Sequence, residues 1–263
     1  MKLISFKSLR ILVLLTLLGA VAIYTQGQRL TSQGWYKPLQ LSIFPINGDA
    51  SIDTAEYIAD LSPEDFAEID SFMAHEGQRY KIITSIPTQI ALGPVVENLP
   101  PAPPGTDSSK LAIMLWSLKL RWWAYRYTPD GHSGKHRVRI FVLYHQGEQG
   151  VPLQHSLGLQ KGLIGIVHAY AQPGQNPQNN IVIAHELLHT VGAADKYNDH
   201  GLPLYPQGYA EPDRDPRYPQ RKAEIMAGRI PISSGQWKMP DSLRHVVVGL
   251  VTAQEVRWVK GEE

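Results

Sequence analysis

The chain has 263 residues, of which 43% are hydrophobic and 19% charged, so it is long enough for one large domain or two small lobes with a hydrophobic core. The formal net charge of +1 does not imply a strong polyelectrolyte partner, and the sequence shows no basic stripe of interleaved aromatic residues and no glycine-rich phosphate loop, which argues against nucleic-acid binding. There is no cysteine, which excludes disulfides, thiol catalysis and cysteine metal ligands.

The first 24 residues have the pattern of a targeting segment. Three basic residues precede an apolar run: Lys2, Lys7 and Arg10. The run, residues 11–24, is shorter than the roughly 20 residues that span a bilayer, and residues 20–22 have the small-x-small pattern of a cleavage site. Two interpretations stay open, a cleaved signal peptide or an uncleaved anchor in the inner membrane. Both predict an extracytoplasmic body, periplasmic or secreted, because the basic flank stays in the cytoplasm.

The body is predicted to begin after a polar linker. Residues 25–38 are polar and contain two glycines, which is typical of a connector, so the body comprises residues 39–263. Alternating apolar and polar residues predict a first strand at residues 39–44. Ser62, followed by a proline and two acidic residues, is typical of a helix N-terminus, and apolar residues at helical spacing continue to about residue 79.

The strongest helical pattern outside the motif described below covers residues 110–127. One stripe of this helix is apolar: Leu111, Leu115, Leu118, Trp122 and Tyr125. We expect the stripe to lie in the core, since an apolar stripe on a helix normally packs against other elements. The segment before it is less regular. Residues 82–96 predict one or two strands interrupted by prolines, and residues 99–109, with four prolines and a glycine, predict a loop.

The second half of the chain contains further predicted elements around the motif. Alternation at residues 137–145 and an apolar, β-branched run at residues 163–171 predict two more strands. A turn then leads into the next helix, with Asn179 or Asn180 as its expected cap. Near the end, Thr252–Glu255 has the pattern of a capping box that opens a short last helix.

The most specific pattern in the chain is H-E-x-x-H, formed by His185, Glu186 and His189. A helix turns by about 100° per residue, so the two histidines lie about 40° apart on one face and both imidazoles can reach one metal ion. Glu186 points to the side, where it can hold a metal-bound water as general base. The spacing therefore predicts a metal site with a catalytic carboxylate.

Two residues downstream extend this pattern. A continuing helix would carry Asp195 about 9 Å further along the axis, away from the two histidines. Gly192, however, tolerates the left-handed backbone that ends a helix and turns the chain back. We therefore expect a turn at Gly192 that brings Asp195 to the metal as the third protein ligand.

From residue 185 to residue 195 the sequence reads H-E-x-x-H-x-x-G-x-x-D and resembles the metzincin zinc metallopeptidases, whose last position holds His or Asp. The resemblance implies a metalloendopeptidase that hydrolyses peptide or protein substrates, with Zn²⁺ held by two histidines and Asp195 and with Glu186 as the general base. It also implies an α/β (α+β) fold, a metzincin-like zincin with a mixed twisted sheet, a backing helix, an active-site helix and an irregular lower lobe.

The same resemblance assigns roles to other segments. Residues 110–127 would be the helix that backs the sheet. Residues 163–171, which include His168, would be the edge strand that lines the cleft and pairs with an extended substrate. Residues 196–221, which are rich in proline and tyrosine, would form the irregular lobe beneath the cleft.

Metzincins also carry a methionine in a tight turn under the zinc, as an apolar floor. Met226, closely followed by Gly228, is the preferred candidate, and Met239 is the other methionine downstream of the motif. Some members use a tyrosine near this methionine to assist at the oxyanion. No tyrosine immediately follows the candidate here, and three remain free for that role: Tyr197, Tyr205 and Tyr209.

Two other functions are compatible with the motif. A gluzincin-like hydrolase would take its third ligand from a downstream glutamate, Glu224 or Glu255. A non-catalytic, membrane-tethered module would bind zinc only for structure or to scaffold a partner. A structural site, however, has no use for a glutamate such as Glu186 beside an open coordination position.

Overall fold

The computed structural model describes residues 6–105, 107–129, 131–132, 137–147 and 153–259. Lys2 of the predicted basic flank lies outside the described residues. The helices and strands follow in chain order: α1 (Phe6–Ser32), β1 (Leu39–Asn47), α2 (Ile52–Ala59), α3 (Ala67–Arg79), β2 (Thr88–Leu92), α4 (Lys110–Tyr127), β3 (Arg137–His145), β4 (Leu157–Leu159), β5 (Ile164–Tyr170), α5 (Asn176–Thr190), β6 (Ala223–Glu224), β7 (Ile230–Pro231), β8 (Trp237–Lys238), β9 (Val246–Val247) and α6 (Leu250–Glu255).

A five-stranded sheet organises the body, with strand order β2-β1-β3-β5-β4. Strands β2, β1, β3 and β5 run parallel to one another, whereas β4 pairs antiparallel with β5 and forms one edge. Parallel strands need long crossovers: α2 and α3 lie between β1 and β2, α4 lies between β2 and β3, and β4 lies between β3 and β5. The protein is therefore of the mixed α/β class, as the sequence predicted.

The sheet is covered on both faces. On one face, side chains such as Ile43 and Val138 pack against residues of α2, α3 and α5. On the other face, Phe44 and Phe141 pack against residues of α4. Central parallel strands buried on both faces are apolar at nearly every position, and this accounts for the apolar run of β3.

Several predicted elements are confirmed. The strands expected at residues 39–44, 137–145 and 163–171 correspond to β1, β3 and β5, although β1 continues to Asn47. The helix expected at residues 110–127 is α4, with the same limits. The helix expected after Ser62 begins as a 3₁₀ turn and continues as α3 to Arg79.

The apolar stripe predicted to be the buried face of α4 is instead at the surface. Each of its five residues is more than half exposed: Leu111, Leu115, Leu118, Trp122 and Tyr125. The sheet contacts the opposite side of the helix through Leu120, Trp123 and Ala124. The prediction was wrong because α4 is apolar on two sides, and periodicity alone cannot tell which of them faces the sheet.

Strand β5 is not the edge strand that the resemblance implied. Its first residues pair with β4, with Leu157 opposite Ile166 and Leu159 opposite Ile164. The edge next to α5 is therefore β4. This strand has only three residues, which is too short for an alternating pattern to be recognised in the sequence.

Helix α5 begins before the two asparagines that were expected to cap it. Asn179 is buried inside the helix and exchanges hydrogen bonds with the backbone of Tyr170, at 3.1 and 2.9 Å. Asn180, also buried, donates to the carbonyl of Asp65 at 2.8 Å. The cap prediction was wrong because these side chains find their partners in β5 and in the turn before α3, not at their own helix end.

Helix α1 continues through Ser32 and so includes part of the predicted linker, residues 25–38. The chain after it contacts the body: Gln33 donates to the carbonyl of Val191, and Trp35 Nε1 donates to the carbonyl of Val256 at 2.7 Å. Within the part of the chain that the structure describes, no helix has both the length and the apolar character needed to cross a membrane.

Candidate metal centre

Helix α5 positions the two histidines of the motif. His185 and His189 lie one turn apart, and their Nε2 atoms are 3.0 Å from each other. The helix is held by fully buried apolar side chains around them, including Ile183, Leu187 and Leu188. Because a packed helix is rigid, both imidazoles project from one face in a fixed relation.

The chain reverses directly after α5, as predicted. Gly192 has a φ of +108°, and an added Cβ would lie 2.7 Å from two glutamine side chains. Both the backbone conformation and the space therefore favour glycine. After this turn, Asp195 Oδ1 lies 3.2 Å from His185 Nε2 and 3.1 Å from His189 Nε2. The structure thus brings the three predicted ligands together.

Backbone carbonyls fix the outer nitrogens of both imidazoles. The Ile225 carbonyl lies 2.9 Å from His185 Nδ1, and the Ala193 carbonyl lies 2.8 Å from His189 Nδ1. Because a carbonyl only accepts, each Nδ1 donates and each neutral imidazole has its lone pair on Nε2. These lone pairs and an Asp195 oxygen face one another at 3.0–3.2 Å, which is unfavourable unless a proton or a metal ion lies among them.

The same separations fit a tetrahedral metal site. Ligand bonds of about 2.0–2.1 Å in a tetrahedral zinc site separate neighbouring ligand atoms by about 3.3 Å. The three donor atoms here, 3.0–3.2 Å apart, are close to that spacing. Two neutral imidazoles and one carboxylate are also the donor types that zinc takes in hydrolytic sites. The residues therefore fit zinc in both geometry and chemistry.

Protons compete with a metal for this cluster. Burial acts to lower the pKa of His185, but the hydrogen bond with Asp195 and the charge of Glu186 raise it above its usual value. Burial acts to raise the pKa of Asp195, and its hydrogen bonds with His185 and His189 outweigh this and hold it well below its usual range. Metal binding would therefore release a proton.

Glu186 lies next to the cluster and is almost fully buried, with 4% of its surface exposed. Its Oε2 atom accepts no hydrogen bond from any described residue. Burial raises the pKa of this carboxyl group, and the neighbouring histidines only partly oppose the effect. A buried carboxylate with a free oxygen and a raised pKa is suited to accept a proton from a water molecule.

The edge strand β4 approaches α5 so closely that only glycine fits at one position. A Cβ on Gly158 would lie 2.5 Å from the Cβ of His189 and 2.6 Å from the carbonyl oxygen of Glu186. Strand β4 therefore lies directly against the turn of helix that carries the motif. Sequence reasoning missed Gly158, because nothing in the local pattern indicates a contact with a helix about 30 residues downstream.

A tight turn at residues 223–228 lies beneath His185. The carbonyl of Ile225 accepts the His185 hydrogen bond, and the next residue, Met226, is fully buried. The carboxylate of Glu224 closes the turn by accepting two of its backbone N–H groups, at 2.6 and 3.1 Å. Met226 is thus buried in the turn that contacts His185, and its role as an apolar floor stays a prediction.

The two glutamates of the gluzincin-like alternative have other partners. Besides closing that turn, Glu224 accepts from the hydroxyl of Thr252 at 2.7 Å. Thr252, predicted to cap the last helix, lies inside α6. Glu255 pairs with Lys196 at 2.7 Å. Among the described residues, one group of His, Cys, Asp or Glu side chains lies close enough together to hold a metal ion. It consists of His185, His189 and Asp195.

Of the three candidate tyrosines, Tyr197 lies at the cluster. Burial, followed by the charge of Asp195 and a hydrogen bond to it, raises the pKa of Tyr197 to about 12. The phenol therefore stays protonated and acts as a donor at neutral pH. Tyr205 and Tyr209 pack edge to face against each other, with ring centroids 5.3 Å apart.

A cleft of about 1270 Å³ opens beside the cluster, with both Glu186 and Tyr197 in its wall. Arg229 lies in the same wall, where it donates to the carbonyl of Gly201 and stacks 4.0 Å above the ring of Trp237. Among the described residues, no carboxylate forms an ion pair with Arg229. The cleft therefore offers a positive charge to an incoming acidic group, which sequence reasoning did not identify.

His168 also lines the cleft, and it packs against a second histidine. Its Nδ1 atom lies 3.1 Å from His145 Nε2, and the two rings stack with centroids 5.3 Å apart. Burial, together with the nearby His145, lowers the pKa of His168 to about 4. Burial also lowers the pKa of His145. Both rings are therefore neutral near pH 7, and one donates to the other.

Comparisons with known proteins do not assign this chain to a family. No protein-family model matches the sequence, and no curated protein matches it either. The features that indicate a function are residues 185–195 and the segments that fold around them, namely β4 and the turn at residues 223–228. Function has to be argued from such a site because a fold alone does not determine it.

Proposed function

We propose that the protein is a zinc-dependent peptidase of the metzincin type, in which His185, His189 and Asp195 hold Zn²⁺ and Glu186 is the general base. The observation that carries the proposal is the convergence of two imidazole Nε2 atoms and one carboxylate oxygen within 3.0–3.2 Å, next to a buried glutamate in a cleft wall. Three protein ligands leave an open coordination position, as in catalytic zinc sites.

Zinc, when bound, supplies the Lewis acid that polarises the scissile carbonyl and lowers the pKa of a water molecule. Glu186 takes a proton from the attacking water as the bond from oxygen to the carbonyl carbon forms. It then delivers that proton to the amine nitrogen as the C–N bond breaks. We propose that the protonated hydroxyl of Tyr197 hydrogen-bonds the oxyanion. Tyr197 is the only one of the three candidate tyrosines that hydrogen-bonds a member of the cluster.

The architecture supports a metzincin-like arrangement. A mixed sheet is backed by α4 on one face and carries the motif helix α5 on the other. The region after α5, residues 196–221, contains no regular helix or strand. The antiparallel edge strand β4 lies against α5, and we propose that an extended substrate pairs with its free edge.

The two alternative functions are less well supported by the contacts. A gluzincin-like site would require Glu224 or Glu255 to leave the hydrogen bonds described above. A purely structural zinc site would not explain why a glutamate is buried beside the ligands with one oxygen free of hydrogen bonds.

We further propose that the N-terminus is cytoplasmic and that the body is extracytoplasmic. Residues 1–24 either anchor the body in the membrane or are cleaved, which releases it. The basis is the basic flank before the apolar run. A C-terminal reporter that is active only in the cytoplasm would contradict this topology. A mature N-terminus at Ile23 would indicate cleavage, and an intact N-terminus would indicate anchoring.

The proposed activity is tested with the purified full chain and a mixed peptide library. We expect about one zinc ion per chain, cleavage of internal peptide bonds, loss of cleavage with a chelator and recovery on addition of zinc. Cleavage that persists in the chelated, metal-free protein would overturn the proposal. Zinc binding at full occupancy without any cleavage would favour the structural alternative.

A further inference from the structure

Helix α4 has a second apolar side that packs against nothing in the described structure. Six large side chains on it are between 53% and 76% exposed: Leu111, Met114, Leu115, Leu118, Trp122 and Tyr125. Scattered exposed apolar residues are normal in soluble proteins, but a continuous group of this size marks an interaction surface. The buried side of the same helix, around Leu120 and Trp123, already contacts the sheet.

The six exposed residues form one continuous stripe. At about 100° per residue, they fall within a sector of about 100° around the helix axis. The stripe runs from Leu111 in the first turn to Tyr125 in the last, so it covers nearly the whole length of α4. It lies on the side opposite Leu120 and Ala124, which face the sheet. The surface is therefore a ridge of apolar side chains with two aromatic rings toward its C-terminal end.

The charges on α4 are all positive and lie beside this stripe. The helix contains no acidic residue and four basic ones: Lys110, Lys119, Arg121 and Arg126. By the same helical geometry, Lys119 and Arg126 flank one side of the stripe, and Lys110 and Arg121 flank the other, at about 60–100° from its centre. The whole chain has a net charge of only +1, so this concentration of positive charge is a local feature.

The loop before α4 also carries exposed apolar side chains. It contacts α4 through Val96, which is buried in the same cluster as Leu120, and through the carbonyl of Pro101, which accepts from Trp116 Nε1 at 3.0 Å. Two of its residues are more than half exposed: Val95 and Leu99.

We propose that α4 is a membrane-docking element that lies in the plane of an anionic lipid bilayer, with the apolar stripe inserted among the acyl chains. A helix of 18 residues with four charges is unsuited to span a bilayer. An apolar stripe with basic residues on both sides and with Trp and Tyr among its members is typical of helices that lie at the membrane surface. The lipid phosphates attract the four cations, and this matched charge favours lipid over a second protein.

This proposal does not depend on the peptidase activity. Helix α4 and the motif helix α5 pack on opposite faces of the sheet. A bilayer against α4 therefore leaves α5 and the cleft on the other side of the sheet. Docking through α4 would orient the body on the membrane, whereas the N-terminal segment could only tether it.

The test uses a fluorescent label at single positions of the full chain, which is straightforward because the chain has no cysteine. An environment-sensitive dye is attached to Leu118→Cys on the stripe or, as the matched control, to Glu56→Cys, an exposed position on α2. Helix α2 contributes Ile58 to the core on the opposite face of the sheet, so its label stays in water during docking. Vesicles contain phosphatidylcholine with or without about 30% phosphatidylglycerol.

We expect the label at position 118 to shift to the blue with the anionic vesicles and much less with pure phosphatidylcholine, while the label at position 56 does not change. The labelled double variant Lys119→Gln/Arg126→Gln should need at least about tenfold more vesicles for half of the shift. Because these residues are exposed, the substitutions leave the core intact.

Three outcomes would overturn the proposal. In the first, the label at position 118 stays in water while the protein sediments with vesicles, which would show attachment through the N-terminal segment alone. In the second, the shift is independent of anionic lipid and of the two cations. In the third, the label shifts with protein concentration in the absence of lipid, which would identify a second copy of the chain as the partner.

Discussion

Asp195 can reach the two histidines only because the chain reverses at Gly192. The glycine has a φ of +108°, and the carboxylate returns to 3.1–3.2 Å from both Nε2 atoms. A carboxylate ligand brings a negative charge that a third histidine would not. The site would then have a net charge near +1 instead of +2, which weakens the pull on a bound water and raises its pKa relative to a three-histidine site.

Removing this carboxylate should empty the site. We predict that Asp195→Ala lowers zinc affinity by at least about tenfold, since two histidines alone leave the ion with too few protein ligands. The matched control is Asp199→Ala, an exposed aspartate in the same segment that is outside the donor set. Equilibrium zinc titrations of both variants decide the point. Full zinc loading of Asp195→Ala would show that another residue is the third ligand.

Arg229 should select for acidic substrates. It lies in the cleft wall without a carboxylate partner among the described residues, so a substrate carboxylate would supply the missing charge. We predict that Arg229→Ala lowers kcat/KM for peptides with Asp or Glu near the cleaved bond by about 10- to 100-fold, the value of a charge-assisted hydrogen bond. Arg221→Ala, at an exposed site, is the control. Equal losses on neutral and acidic peptides would refute selection by charge.

At the level of residues, the sequence indicated the site only where the pattern is local. His185, Glu186, Gly192 and Asp195 lie within one short segment, and helix geometry is enough to relate them. Arg229 was not identified, since it reaches the cleft by packing that links distant parts of the chain. Its neighbours there, such as Gly201, are not part of any motif.

Among the secondary-structure elements around α5, β4 lies directly against the turn of helix that carries the motif. We predict that Gly158→Ala displaces β4 or α5, because its Cβ would lie 2.5 Å from His189 and 2.6 Å from the Glu186 carbonyl. The expected result is a stability loss of about 1–3 kcal/mol in chemical denaturation, together with weaker zinc binding. Gly174→Ala is the matched control, since its Cβ would meet no atom within 4 Å. Identical behaviour of the two variants would show that β4 does not support the site.

The elements themselves were largely predictable, but their surroundings were not. Helix α4 has the limits that its pattern predicted, yet it buries the side opposite the predicted stripe. Both sides of the helix are apolar, so the pattern could not tell which of them would be buried. The two asparagines expected at the start of α5 satisfy distant backbone groups instead. Periodicity reports the local conformation of the backbone, whereas the choice of buried face depends on which elements pack together.

For the whole molecule, the pair His145 and His168 should make stability depend on pH. The pKa of His168 in the folded state is about 4, below its ordinary value of 6.5. The unfolded chain therefore binds a proton at a higher pH than the folded protein. The contribution of His168 to the free energy of unfolding is therefore complete above about pH 6.5, and it is lost as the pH decreases toward about 4.

We predict that His168→Gln reduces this pH dependence, measured as the free energy of unfolding between pH 7 and pH 4. The difference should be about 1–2 kcal/mol, after allowance for partial solvent screening of the ring. The control is His75→Gln, whose ring is exposed on α3. An unchanged slope in His168→Gln would show that this histidine does not control acid stability.

For the whole molecule, we propose that a zinc ion and Glu186 act together in peptide hydrolysis. The most direct test compares the wild-type chain with Glu186→Gln in zinc content and in peptide cleavage. Glutamine keeps the shape of the side chain and leaves the three ligands unchanged, but it cannot accept the proton. We predict about one zinc ion per chain in both proteins and a fall in kcat by about 10²- to 10⁴-fold in the variant. Turnover near the wild-type rate in Glu186→Gln, or a wild-type chain that binds no zinc, would contradict the proposed mechanism.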